Sequence, residues 1–378
     1  MIIRALKYIR YAGEPREWSI VGSNDDYAYF DNLNLLVGKN ASGKSRTLNL
    51  IRQIANLFSG QISLKQTVSP SENFEIIFTE GENTYKYILA FKNRSIITEV
   101  LMFDDKVLLD REKKIFIDLD NNRLEADVSD NQLAITLQNN EGKSYYESFV
   151  EWGRSLRNYM FANQLEKKKL VKDYVGEENN KDIDDPETLI HAFYKGRELF
   201  GEVFISEILT SMQDLGYDIS KIDIEEVDGL YGLCVEEDCK YTVSQREMSQ
   251  GMYRALSLLI LLHYAKLKNI SFCMLIDDIG EGLDFESSKK ITDIVIKKVN
   301  KSNMQFFMTT NDRYIMNQIP LRYWSVIGRD HSKSIFYDYT NSKDTFEDFK
   351  YTGLNNFDFL ATDFYQKGFG IMDEDNNV

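Results

Sequence analysis

The densest concentration of chemistry in the 378-residue sequence is the run Gly38-Lys39-Asn40-Ala41-Ser42-Gly43-Lys44-Ser45, a complete G-x-x-x-x-G-K-[ST] pattern. Gly38 and Gly43 let the backbone turn so that N–H groups converge on one point, and a helix beginning at the end of the run adds positive potential there. The Lys44 ammonium is then expected at the β- and γ-phosphates of ATP. The Ser45 hydroxyl is expected on Mg²⁺, a hard octahedral ion that takes few protein oxygens and fills its shell with phosphate and water. Asn40, Ala41, Ser42 and Arg46 complete the expected nucleotide cradle. A second grouping lies about 200 residues further on. There Ser249-Gln250-Gly251 precedes an apolar stretch, and an apolar run ends in Asp277-Asp278. Asp277 would hold Mg²⁺ opposite Ser45.

The elements that must position these groups are legible in the hydrophobic pattern. Asn34 to Val37 is a short apolar run before the loop, and Leu48, Ile51, Ile54, Ala55 and Phe58 recur at helical spacing after it, so the loop joins a strand to a helix. Met252 to Leu267 is apolar on nearly every face and is expected to be a buried helix. Residues 270–276 read as a strand covered on both sides. Gly280-Glu281-Gly282-Leu283-Asp284 is a turn, Ser287 to Val299 a helix, and Gln305 to Met308 a further strand running into Thr309-Thr310-Asn311-Asp312. Between the two groupings, Phe74 to Leu137 alternates as an antiparallel sheet of hairpins. Tyr145 to Val171 and Pro186 to Leu215 read as helices divided by a charged stretch over 176–187. Tyr323 to Ile327 and Ser334 to Tyr337 read as closing strands.

GKNASGKS, MSQG, LIDD and TTND, in that order around a hairpin-rich segment, resemble the ABC-type ATPases of the RecF, SMC and OLD-like group, loosely termed AAA family ATPases and frequent in bacterial anti-phage operons. The resemblance implies an α/β fold: a P-loop NTPase of the ABC-type head class with a mostly parallel core sheet, an antiparallel β lobe and a helical insertion. It also implies a dimer, or higher homo-oligomer, closed around two ATP molecules. Gly38, Asn40, Gly43, Lys44, Ser45, Asp277 and Asp278 would act in one subunit, and Ser249 and Gly251 would reach the γ-phosphate held by the other. Asp278 falls where the group usually has a water-polarising glutamate, and Asn311 where it usually has a histidine. With Lys44 these form the expected catalytic set. Aspartate is one methylene shorter and an amide carries no proton charge, so slow hydrolysis is expected. OLD-type nucleases carry a Toprim domain after the ATPase, whereas 66 residues follow Asp312 here. A nuclease or toxin effector is therefore expected in a separate chain. A RecF-like DNA-repair ATPase and a nearly non-hydrolysing nucleotide-gated scaffold are the alternatives.

Composition agrees with one ATPase domain over 1–378, subdivided at 1–140 (N-terminal lobe), 141–235 (helical insertion), 236–345 (signature and acidic pair) and 346–378 (aromatic and acidic tail). Hydrophobic residues make up 43% and the net charge is −15 with pI near 4.9, which argues against a surface built for non-specific DNA binding. Arg4, Lys7, Arg10 and Arg16 make the first segment locally basic, and read as solubilising charges on an edge strand. No apolar run approaches the roughly 18 residues of a membrane span and no signal peptide is visible, so a cytoplasmic protein is expected. Cys234, Cys239 and Cys273 form no paired framework, and His191, His263 and His331 are scattered, so Mg²⁺ with ATP is the metal chemistry expected. Phe349, Tyr351, Phe357, Phe359, Phe364 and Tyr365 either anchor a partner or cover the protein's own core.

Overall fold

The computed structural model describes residues 1–125, 127–160, 170–175, 187–238, 240–269, 272–299 and 304–370. Two compact units are formed, Met1–Gly153 with Thr309–Val378, and Arg154–Met308. The first opens with β1 (Ile2–Arg10), β2 (Trp18–Gly22), β3 (Ala28–Tyr29), β4 (Leu33–Val37) and α1 (Lys44–Phe58). Hairpin strands follow, β5 (Glu72–Glu80), β6 (Asn83–Lys92), β7 (Ser95–Phe103), β8 (Lys106–Asp110) and β9 (Ile115–Phe116), and then α2 (Glu147–Ser155). The second unit holds β10 (Arg157–Met160), α3 (Glu187–Phe200), α4 (Glu202–Asp214), β11 (Ile219–Val227), β12 (Leu230–Glu237), β13 (Tyr241–Ser244), α5 (Gln250–Lys268), β14 (Phe272–Asp277), α6 (Phe285–Val299) and β15 (Met304–Thr309). The chain then returns to the first unit with α7 (Arg313–Gln318), β16 (Trp324–Asp330), β17 (Lys333–Asp338), α8 (Lys343–Phe349), α9 (Asn356–Ala361) and α10 (Phe364–Lys367).

In the first unit the strands run in the order β4-β16-β17-β2-β1-β5-β6-β7-β8-β9. The β4/β16 and β17/β2 pairs are parallel, and the β5-to-β9 ladder is antiparallel throughout. Alternation does the sorting. Phe74, Ile76 and Phe78 on β5 and Tyr85, Tyr87, Leu89 and Phe91 on β6 are buried, while the residues between them are more open. Phe58 at the end of α1 meets Tyr87 edge-on at 5.1 Å and Trp152 of α2 at 5.9 Å, so the helix leaving the phosphate loop is fixed at its far end by an aromatic core.

β1 is not an edge strand. It pairs with β2 and β3 on one side and β5 on the other, because Ile3, Ala5, Leu6 and Tyr8 supply an apolar face to both neighbours. Arg10 therefore stands inside the sheet and not at a solvated rim. The aromatic tail is largely the protein's own core: Phe349, Phe359, Phe364 and Tyr365 are buried and pack on one another, Phe357 is half-buried and Tyr351 is exposed.

In the second unit β10, β14 and β15 are parallel neighbours. α5 is buried from Gly251 to Ala265, as its composition requires, and ends on Asn269 in the left-handed conformation. The expected helix over Tyr145 to Val171 is shorter than its periodicity suggests. It stops at Ser155, and Arg157–Met160 pairs with β14 as a strand; 161–169 lie outside the described residues, as do 176–186 of the charged divider, 270–271 of the expected strand, Cys239 and the acidic end over 371–378. The segment 141–235 is also not helical throughout. Asp228-Gly229, both at positive φ (55° and 74°), turns β11 into β12 as a two-residue hairpin.

Candidate nucleotide-binding site

β4, buried along its whole length, delivers the chain into the loop, and α1 leaves it at Lys44. Ala41 has φ 63° and Gly43 φ 121°, so the backbone reverses hand twice and its N–H groups form a concave nest facing the start of α1. Gly38 has no room for a side chain, since a Cβ would lie 2.6 Å from both the Ile327 carbonyl oxygen and Ser42 Oγ. Lys44 Nζ donates to the Gly38 carbonyl at 2.7 Å and so spans the loop it is expected to serve. Ser45 and Asn40 are exposed, and Ser42 is buried. Arg46 is exposed, its guanidinium 5.7 Å from the Trp18 ring centre.

The loop is braced from behind by residues far away in sequence. Ser334 Oγ on β17 donates to the Ser42 carbonyl at 2.7 Å and accepts from Trp18 Nε1 at 2.9 Å. Arg329 Nη1 donates to the Ala41 carbonyl at 2.7 Å, and Lys39 pairs with Asp363 at 2.8 Å. Arg10, Arg46 and Arg329 raise the positive potential around the loop. Burial, then Arg10 and Arg329, holds the Arg46 guanidinium below its ordinary pKa. Asn311, also in this unit, is exposed just past β15, and Asp312 beside it caps α7 by accepting from Tyr314 N at 2.7 Å.

In the second unit the acidic pair terminates β14. Asp277 is the last strand residue, and Asp278 takes φ 60°, a left-handed conformation that aspartate tolerates better than most residues. The backbone then closes tightly, with Glu281 N bonded to the Asp278 carbonyl at 3.1 Å and Leu283 N to the Gly280 carbonyl at 3.0 Å. Asp284 caps α6 through Ser287 N at 2.9 Å and Ser287 Oγ at 2.7 Å, and these bonds lower its pKa. Ser249 is the N-cap of α5, its hydroxyl accepting from Met252 N at 3.1 Å. A Cβ on Gly251 would sit 2.9 Å from the Gly282 carbonyl, so the first turn of α5 lies directly against the 280–284 turn. Buried Arg254 ties the two together by donating to the Glu281 carbonyl.

A family profile described as "AAA domain, putative AbiEii toxin, Type IV TA system" matches residues 33–317. The chain belongs to this family. No curated protein matches it. Among solved structures, this AAA-domain chain is similar to an SMC head bound to the C-winged helix domain of ScpA, with a TM-score of 0.54 and 13% identity over 89% of this chain and 97% of that one. It is also similar to an SMC head with an extended coiled coil bound to the C-terminal domain of ScpA derived from Pyrococcus furiosus, with a TM-score of 0.51 and 13% identity over 92% and 99%. By family it is an AAA domain, and its fold is similar to that of SMC heads. The braces Trp18, Arg329, Ser334 and Asp363 and the tie Arg254 escape a reading by motif because each acts on a backbone carbonyl or a neighbouring side chain, a role no local pattern encodes.

Proposed function

We propose that the chain binds Mg-ATP at the phosphate loop, hydrolyses it slowly, and pairs with a second copy around the nucleotide to hold or release a separate effector protein, a nuclease or toxin, in anti-phage defence. The observation that carries the ATP assignment is the loop itself: a nest opened by positive φ at Ala41 and Gly43, a helix N-terminus behind it, and Lys44 lying across it. In this reading Gly38, Asn40, Ala41, Ser42, Gly43 and Arg46 offer backbone N–H groups to the phosphates and Lys44 neutralises them. Ser45 and Asp277 hold Mg²⁺, Asp278 orients the attacking water, and Asn311 hydrogen-bonds at the γ-phosphate. Ser249 and Gly251 present the N-terminus of α5 to the nucleotide of the second copy. The family description supports a toxin–antitoxin or defence setting, and the two SMC heads, each solved with a ScpA domain, favour a partner protein.

Asp278 and Asn311 favour the scaffold end of the range, where nucleotide binding matters more than turnover. Substituting Lys44 by Ala should remove ATP binding or turnover, and Asp278→Asn should keep ATP bound without hydrolysing it. Unchanged hydrolysis by Lys44→Ala would sink the site assignment. Direct ATP-dependent binding of gapped duplex by the purified chain would move the reading to a RecF-like repair role.

A further inference from the structure

Away from the phosphate loop and the acidic pair, polar side chains from α4, α5 and α6 meet in one cluster. Glu207 and Ser211 stand one turn apart on α4, His263 and Lys266 one turn apart on α5, and Lys298 lies in the last turn of α6. Glu207 accepts from His263 Nδ1 at 2.6 Å and from Lys266 Nζ at 2.7 and 2.9 Å, so both its oxygens are engaged. An ionised carboxylate only accepts. The imidazole hydrogen therefore sits on Nδ1, and Nε2 accepts from the Ser211 hydroxyl at 2.9 Å.

This arrangement leaves the Lys298 ammonium facing donors. Its Nζ lies 3.4 Å from His263 Nδ1, the nitrogen that already carries a hydrogen, and no carboxylate among the described residues forms an ion pair with it. The charged groups that face it are Lys266, a like charge, and Glu207, whose oxygens are already shared between Lys266 and His263. A half-buried ammonium in such surroundings gains little from its proton, whereas the neutral amine can accept from Nδ1–H. Burial first, then Lys266, lowers the Lys298 pKa to about 8 against the pull of Glu207. At pH 7.5 about a quarter of these side chains are then free amine, against roughly one in a thousand for an unshifted lysine.

We propose that Lys298 is a modification site whose amine takes an acyl group from a small acyl phosphate. The neutral Nζ attacks the acyl carbon, the N–C bond forms and the C–O bond to phosphate breaks. The proton lost from nitrogen leaves with the phosphate. A half-buried amine admits a donor of this size, and the Lys266 ammonium, with its side chain 46% exposed, attracts the donor's negative charge. Incubating the full chain with acetyl phosphate between about pH 6.5 and 9.5, and following each lysine by peptide mass spectrometry, tests the assignment. Exposed Lys297, next to it on α6, is the internal reference. Lys298 should be acetylated about tenfold faster than Lys297 at pH 7.5, because the gain in free amine is partly offset by the weaker nucleophilicity of a less basic atom. Its rate should level off above about pH 8, where that of an ordinary lysine amine still climbs. Lys266→Gln removes the neighbouring cation and frees Glu207 to pair with Lys298. That variant, its fold checked by melting curves, should acetylate Lys298 at least about threefold more slowly at pH 7.5 and Lys297 at the original rate. Acetylation of Lys298 no faster than of Lys297, or a rate still climbing at about pH 9.5, would overturn the proposal. An unchanged Lys298 rate in folded Lys266→Gln would overturn it as well, and the two wild-type measurements decide the matter if that variant does not fold.

Discussion

Ser334 offers the sharpest test of how the phosphate loop is held. Its hydroxyl, on a residue 1% exposed, is at once donor to the Ser42 carbonyl at 2.7 Å and acceptor for Trp18 Nε1 at 2.9 Å. Ser334→Ala removes both bonds without introducing bulk, leaving a buried indole N–H and a buried loop carbonyl unpaired. At about 1–3 kcal/mol for each of the two stranded groups, a loss of roughly 2–6 kcal/mol is expected. That corresponds to a fall in melting temperature of about 4–24 °C for a unit of this size. Gly43→Ala attacks the same contact from the other side, because its Cβ would lie 2.6 Å from Ser334 Oγ at a φ of 121° that alanine rarely adopts. With the hydroxyl gone the clash goes too, so Gly43→Ala with Ser334→Ala should cost less than the sum of the two single changes. Chemical denaturation of the four proteins, with ATP affinity measured in parallel, provides the comparison. A loss below about 0.5 kcal/mol for Ser334→Ala, within the range of an ordinary surface change, or strict additivity in the double variant, would refute the bracing argument.

Other outcomes follow from the second unit and the loop's rim. Arg254→Ala should loosen the 280–284 turn from α5 and lower ATP turnover more than ATP affinity, read as a fall in kcat at nearly constant Kd; equal loss of both would contradict it. His263 sits buried between Glu207 at 2.6 Å and Ser211 at 2.9 Å, with Lys266 and Lys298 facing it, and burial first, then Lys298, lowers its pKa to about 4. Its folded pKa lies below the unfolded value of about 6.5. The stability it contributes is therefore complete above pH 6.5 and lost as pH falls toward 4, by roughly 2–3 kcal/mol, and His263→Gln should remove that part of the slope in denaturation curves taken across the window. Asp363→Asn should break the exposed pair to Lys39, change stability by less than about 1 kcal/mol, and leave ATP binding intact.

The fold was legible where one pattern controls one element. The apolar run before Gly38, the helical spacing from Leu48 to Phe58, the all-round apolar α5 and the alternating strands from Phe74 onward each impose a single period that burial then enforces. Legibility failed where tertiary pairing decides. Arg157–Met160 is a strand because β14 lies beside it, although the sequence there continues a helical pattern. The β11–β12 hairpin is announced only by Asp228-Gly229, which the surrounding charge masked. Arg10 was misplaced for the same reason, since nothing local shows that β1 has neighbours on both sides. The loop motif fixed which residues could touch a nucleotide; what holds that loop, from Trp18 to Asp363, comes from strands and helices distant in the chain.

In the proposed function, ATP joins two copies of this chain through the phosphate loop and the N-terminus of α5. Solution mass by light scattering, with and without Mg-ATP, on wild type and Asp278→Asn tests it most directly. Doubling of the mass with Mg-ATP, sharper in Asp278→Asn and abolished by adding Lys44→Ala, is the predicted result. A mass that stays at one copy in Asp278→Asn at saturating Mg-ATP would contradict it.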